Sequence, residues 1–122
     1  MSGAAFQTEV AAIPDLPAAT TMRLAGRVTV ADVPELRRSV LDEIAHTDAT
    51  RLVLELSGVE RMDTAGAAVL VEALMHGHDR GIRILLCSPS ESVVQMFRLA
   101  GLENVLDYCC ANPAETRRRL LA

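Results

Sequence analysis

Residues 51–70 read RLVLELSGVERMDTAGAAVL, and the fold turns on how that stretch divides. Arg51 to Leu56 is a run of β-formers, which predicts a strand. From Thr64 onward the period changes. Ala67, Leu70, Val71 and Leu74 recur at helical spacing, predicting a helix over Thr64–Asp79 that Gly81 stops. A strand running directly into a helix is half of a β-α-β unit, whose crossover makes neighbouring strands parallel. Between the two lies Gly58 to Gly66, at the C-terminal edge of a parallel strand, where open α/β folds place their working surfaces.

The flanking sequence extends this pattern in both directions. Downstream, Ile82–Cys87 is apolar nearly throughout, as a central strand covered on both faces requires. Ser88-Pro89-Ser90-Glu91 predicts a helix start with Ser88 as N-cap, and that helix presents Val93, Met96, Phe97 and Ala100 before Gly101 ends it. A short strand is predicted over Asn104–Asp107. Asn112-Pro113-Ala114-Glu115 then opens a last helix, with Arg117, Arg118 and Arg119 at the negative end of its dipole.

Upstream, a first strand is predicted over Phe6–Ile13, broken by Pro14-Asp15-Leu16-Pro17. A second runs over Thr20–Ala25 and stops at Gly26. Val33, Leu36, Val40, Leu41 and Ile44 mark a helix, with Asp32 as its N-cap and Glu35 closing an Asp version of the capping box. The order is β-β-α-β-α-β-α-β-α. It describes one α/β domain over residues 1–122, built on a single mixed, mostly parallel sheet with crossover helices. Residues 1–5 are expected to be flexible, and the first strand is free to run antiparallel.

Half of the 122 residues are apolar, enough for one real core. Only Phe6, Phe97 and Tyr108 are aromatic, so Leu, Val, Ile, Met and Ala must fill that core. Net charge is −4 with both signs interspersed, so no clustered basic charge with stacking aromatics points to nucleic acid. No apolar run reaches the ~18 residues of a membrane span. The opening Met1-Ser2-Gly3-Ala4-Ala5 lacks the charged n-region of a secretion signal. Cys87, Cys109 and Cys110 are odd in number and without metal-ligand spacing, which fits reduced thiols in a cytoplasmic protein.

Little in the chain suggests catalysis. His46, His76 and His78 fall near helix ends. Residues two apart on a helix point ~200° from one another, so His76 and His78 are poorly placed to share a metal. There is no phosphate-binding loop of the G-x-x-x-x-G-K type. Cys87 sits in an apolar strand as an inert thiol, and Cys109 has no activating group near it in sequence. No enzyme activity, cofactor or metal is expected.

The segment Met62-Asp63-Thr64-Ala65-Gly66 is the informative one. Asp63 is placed as an N-cap, accepting from the amides of Ala65 or Gly66. The small residues at 65–68 keep the turn low enough for another protein's backbone to approach. They fit equally well a role confined to tight helix–sheet packing, and the residues alone leave both readings open.

At this point the chain resembles the STAS domain of the bacterial anti-sigma-factor antagonists. The likeness rests on Arg23-Leu24-Ala25-Gly26, Leu52 through Val59, Met62 through Gly66, Gly81-Ile82 and Phe97 through Leu102, in that order and spacing. It implies a non-catalytic regulatory module for signal transduction and transcription regulation. Such a module docks onto an anti-sigma factor that is also a serine kinase, through Met62, Asp63, Thr64, Ala65, Gly66 and Thr29. By position, the residue phosphorylated in that family is Ala65, which cannot accept phosphate. The family's usual Asp after the second strand is Thr29. Thr64 is left as the hydroxyl within the turn. The Asp-Thr-x-Gly pattern is also similar to STAS proteins that bind the ATPase of a phospholipid-trafficking ABC transporter, and some STAS domains pair with themselves.

Overall fold

The computed structural model describes residues 6–122. Residues 1–5, expected to be flexible, lie outside the described residues. The strands are β1 (Phe6–Ala12), β2 (Ala19–Val28), β3 (Arg51–Met62), β4 (Arg83–Cys87) and β5 (Cys109–Cys110). The helices are α1 (Val33–His46), α2 (Thr64–Asp79), α3 (Glu91–Leu99) and α4 (Pro113–Leu121). Short 3-10 turns occupy Val30–Asp32 and Glu103–Tyr108.

The five strands form one sheet in the order β1-β2-β3-β4-β5. β1 runs antiparallel to β2, and every later neighbour is parallel. The alternation along β3 divides the core. Leu52, Leu54 and Leu56 face the larger cluster, with Leu36 and Val40 of α1, Ala67 and Leu70 of α2, and Val93 and Phe97 of α3. Val53 faces the other way, with Leu85, Cys87, Cys110 and Leu120 of α4. Burying each of these leucines contributes roughly 1.5–3 kcal/mol.

β2 and β3 run further than their β-former content predicts, through Val28 and Met62. Two register shifts between them, at Arg23/Ala25 and Gly26/Arg27, make this possible. Gly26 adopts a left-handed φ of 102° at the second shift, a conformation glycine accepts without strain. The strand predicted at Asn104–Asp107 is instead a 3-10 turn, and the pairing strand is Cys109–Cys110. Ser88 is not a helix cap. It is left-handed (φ 56°) and donates its amide to Cys110 O at 2.8 Å, extending the β4–β5 pairing. The true cap of α3 is Ser90, whose hydroxyl accepts from Val93 N at 3.2 Å.

Candidate functional site

The extension of β2 and β3 brings Thr29 beside Met62–Gly66, at the C-terminal edge of the sheet. Met62 pairs with Val28 in the sheet, and the Asp63 amide donates to Val28 O at 2.9 Å. Asp63 occupies the N-cap position of α2, but its side chain does not cap the helix. Its Oδ2 accepts from the Val30 amide at 3.1 Å, 33 residues away. The first amides of α2 are met by the Asp63 carbonyl, which accepts from Gly66 N at 2.9 Å and Ala67 N at 3.1 Å. The expected bonds from Ala65 or Gly66 to the carboxylate are therefore absent. The side chain is committed instead to a donor in another part of the chain.

Thr29 and Asp32 close the adjoining turn on itself. The Thr29 amide and hydroxyl both donate to Asp32 Oδ2 at 2.9 Å. Asp32 thus serves the 3-10 turn and makes no side-chain cap to α1, which corrects the capping box expected with Glu35. The result is a short turn, Val30–Asp32, held at its base by Asp32 and at its amide by Asp63. Val30 projects from it with 66% of its surface exposed.

The residues expected to meet a partner divide by burial. Thr29, Asp63 and Thr64 are exposed, Ala65 is half-buried, and Met62 and Gly66 are buried. Gly66 has an internal reason to be small, because a Cβ there would stand 2.9 Å from Met62 Cγ and 2.9 Å from Val28 Cγ1. That answers the open question for this residue: it serves helix–sheet packing. Thr64 and Ala68, both exposed, are left facing outward.

A shallow depression at this edge joins Thr29, Met62 and Asp63 to Arg27, Arg61, Ser92 and Met96. The last four, with Val30, were not identified as site residues from sequence. The two arginines lie beyond the strand ends predicted there, and Ser92 and Met96 arrive by α3, so no local pattern marks them.

The remaining candidates lie elsewhere. His46, His76 and His78 are exposed; His76 lies 3.9 Å from Glu72, and His78 3.8 Å from Asp79. Among the described residues no three His, Cys, Asp or Glu side chains gather as a metal site. Burial pushes the Cys109 thiol up to about 11, with Cys110 adding to the rise and Arg119 opposing it. Burial likewise raises the Cys87 thiol. Both thiols are therefore poor nucleophiles at neutral pH. No helix among the described residues is long and apolar enough to cross a membrane.

Residues 12–107 match a family model described as Mlab, STAS domain. The chain belongs to the STAS family. Solved structures agree on the fold. The anti-sigma factor antagonist SpoIIAA in its unphosphorylated form is 21% identical, with 96% of each chain covered and a TM-score of 0.72. An anti-sigma factor antagonist from Mycobacterium paratuberculosis is 15% identical, covering 96% of this chain and 95% of that one, at 0.77. A variant of RsbS from Moorella thermoacetica is 17% identical, covering 94% of this chain and 95% of that one, at 0.74. The chain is thus a STAS domain, and the solved structures that share its fold include anti-sigma factor antagonists.

Proposed function

We propose that this STAS domain is a non-catalytic docking module of the anti-sigma-factor-antagonist type. It engages a serine-kinase anti-sigma factor, or a related signalling ATPase, through Thr29, Val30, Asp63 and Thr64. The observation that carries this reading is the hydrogen bond from the Val30 amide to Asp63 Oδ2. It fixes an exposed turn beside an exposed helix start, giving a partner a preorganised surface. Ala65 offers no hydroxyl for phosphoryl transfer, so the usual modification has no acceptor. Thr64, exposed one residue earlier, is the hydroxyl a kinase could reach.

The test is binding to purified candidate kinases with ATP, followed by intact-mass measurement. A complex should form, and any gain of phosphate should vanish in Thr64→Val. No binding to any such kinase overturns the reading. A second reading, a subunit bound to the ATPase of a phospholipid-trafficking ABC transporter, is favoured by the Asp63-Thr64 pair followed by Ala65. Capture from native lysate of an ATPase together with its permease would select it.

A further inference from the structure

We infer that Arg27 and Arg61 act as a paired reader of carboxylate, gripping an acidic side chain on the protein that docks beside Asp63. This rests on the docking reading above and names the chemistry of the partner's contact. The two arginines are direct register partners on β2 and β3, so their backbones lie about 4.8 Å apart. Both are exposed, and both line the depression that holds Thr29, Asp63 and Ser92.

The bulge is what makes them neighbours. Gly26 pairs with Val59, so an unbroken ladder would set Arg27 opposite Glu60, an attractive pair. The register shift at Gly26/Arg27 skips Glu60 and sets Arg27 opposite Arg61. Like charges facing one another across strands disfavour the fold, and among the described residues no carboxylate lies within ion-pair distance of either arginine. Three other arginines do have internal acceptors: Arg37 in Glu72, Arg80 in the Ala45 carbonyl, and Arg119 in the carbonyls of Asp107 and Cys109. Arg27 and Arg61 thus present two facing guanidinium forks with no acceptor among the described residues, which suits bidentate grip on a planar carboxylate.

The surroundings select carboxylate over phosphate. Asp63 borders the same depression and Asp32 lies on the adjoining turn, each fixed by its backbone bonds. Their charges repel a phosphate of about −1.5 to −2 more strongly than a single carboxylate. A second arginine pair in register, Arg51 and Arg83, sits at the opposite edge of the sheet and serves as an internal control.

The experiment follows the arginine Nε–H signals of the full chain by NMR during titration with a hexaglutamate peptide at low salt. The Arg27 and Arg61 signals should move together and saturate, those of Arg51 and Arg83 should not, and Arg61→Gln should abolish the response at Arg27. Shifts no larger than those at Arg51 and Arg83 overturn the inference. So does a response to inorganic phosphate at lower concentration than to the peptide. Because this assay needs no kinase, its failure is separable from failure of the docking reading. With a captured partner, R27Q/R61Q should weaken binding at least tenfold while the amide spectrum stays folded, and R51Q/R83Q should not. Equal weakening by the two variants also overturns it.

Discussion

The starts of α2 and α4 carry similar cap residues and use them differently. At α4, Asn112 Oδ1 accepts from Glu115 N at 2.8 Å, and Glu115 Oε2 accepts from the Ala111 amide at 3.2 Å. Every bond is local, and the cap residue and its glutamate stand three apart, as the capping-box pattern puts them. At α2, Asp63 sends its carboxylate across to Val30, and the position matching Glu115 is Gly66. A helix start whose side chains are spent on its own turn is a structural device. One whose cap is committed to a distant turn organises a surface.

Gly66→Glu breaks this comparison most severely. It writes the α4 pattern into α2, and a local rule expects stabilisation, with ~1 kcal/mol gained in helix propensity alone. The close approach of Met62 and Val28 to position 66 reverses that expectation. A net loss of about 2 kcal/mol should appear in urea unfolding, and a rise in stability would show that the two side chains yield.

Asp63→Ala and Asn112→Ala sharpen the comparison. Each should cost about 1 kcal/mol, yet hydrogen exchange should separate them. The first should expose the Val30 amide, the second the Glu115 amide. Asp63→Asn keeps an acceptor and should retain most of the protection at Val30. Exchange changes confined to the first turn of α2 in Asp63→Ala would show that the carboxylate is a local cap after all.

The smallest effect concerns the other long-range tie of α2. Arg37 donates from Nε and Nη2 to Glu72 at 2.8 and 2.7 Å, joining α1 to α2. That hydrogen bond, chiefly, holds the Glu72 carboxylate below its ordinary range. A depressed carboxylate contributes its stability above the unfolded-state value, and loses it as pH falls through the lowered one. Arg37→Gln should therefore differ from the parent at neutral pH and converge with it in acid as the Glu72 carboxyl protonates, by a small margin because the pair is solvated. A thermal melt series across pH checks this, and a difference that grows in acid would reverse the sign.

Much of the fold was legible from residues 51–87, because strand and helix periods there agree with burial. Asn112 and the bounds of α2 were legible for the same reason. Ser88 misled because a Ser-Pro pair looks like a cap, while the β4–β5 pairing draws its backbone into a left-handed turn. Asn104–Asp107 looked like a strand because it carries Val105 and Leu106. Those side chains reach the core equally well from a 3-10 turn, and the two adjacent cysteines that do pair give no alternating pattern. At the candidate site, the exposed Asp63 and Thr64 could be read from their place after a parallel strand. The tether to Val30 and the juxtaposition of Arg27 with Arg61 could not. Both depend on a bulge or on contacts between residues more than thirty positions apart, which no window of sequence contains.

The bond between Val30 and Asp63 also has a thermodynamic consequence. It makes the turn and the helix start two footholds in one equilibrium. A partner that grips Val30 and holds its turn in place favours the geometry in which Asp63 and Thr64 are presented, and a grip on Thr64 favours the turn in return. Linkage requires the two effects to be equal. Two contacts too weak to hold separately would then act as one, and a change at either foothold would be felt at the other.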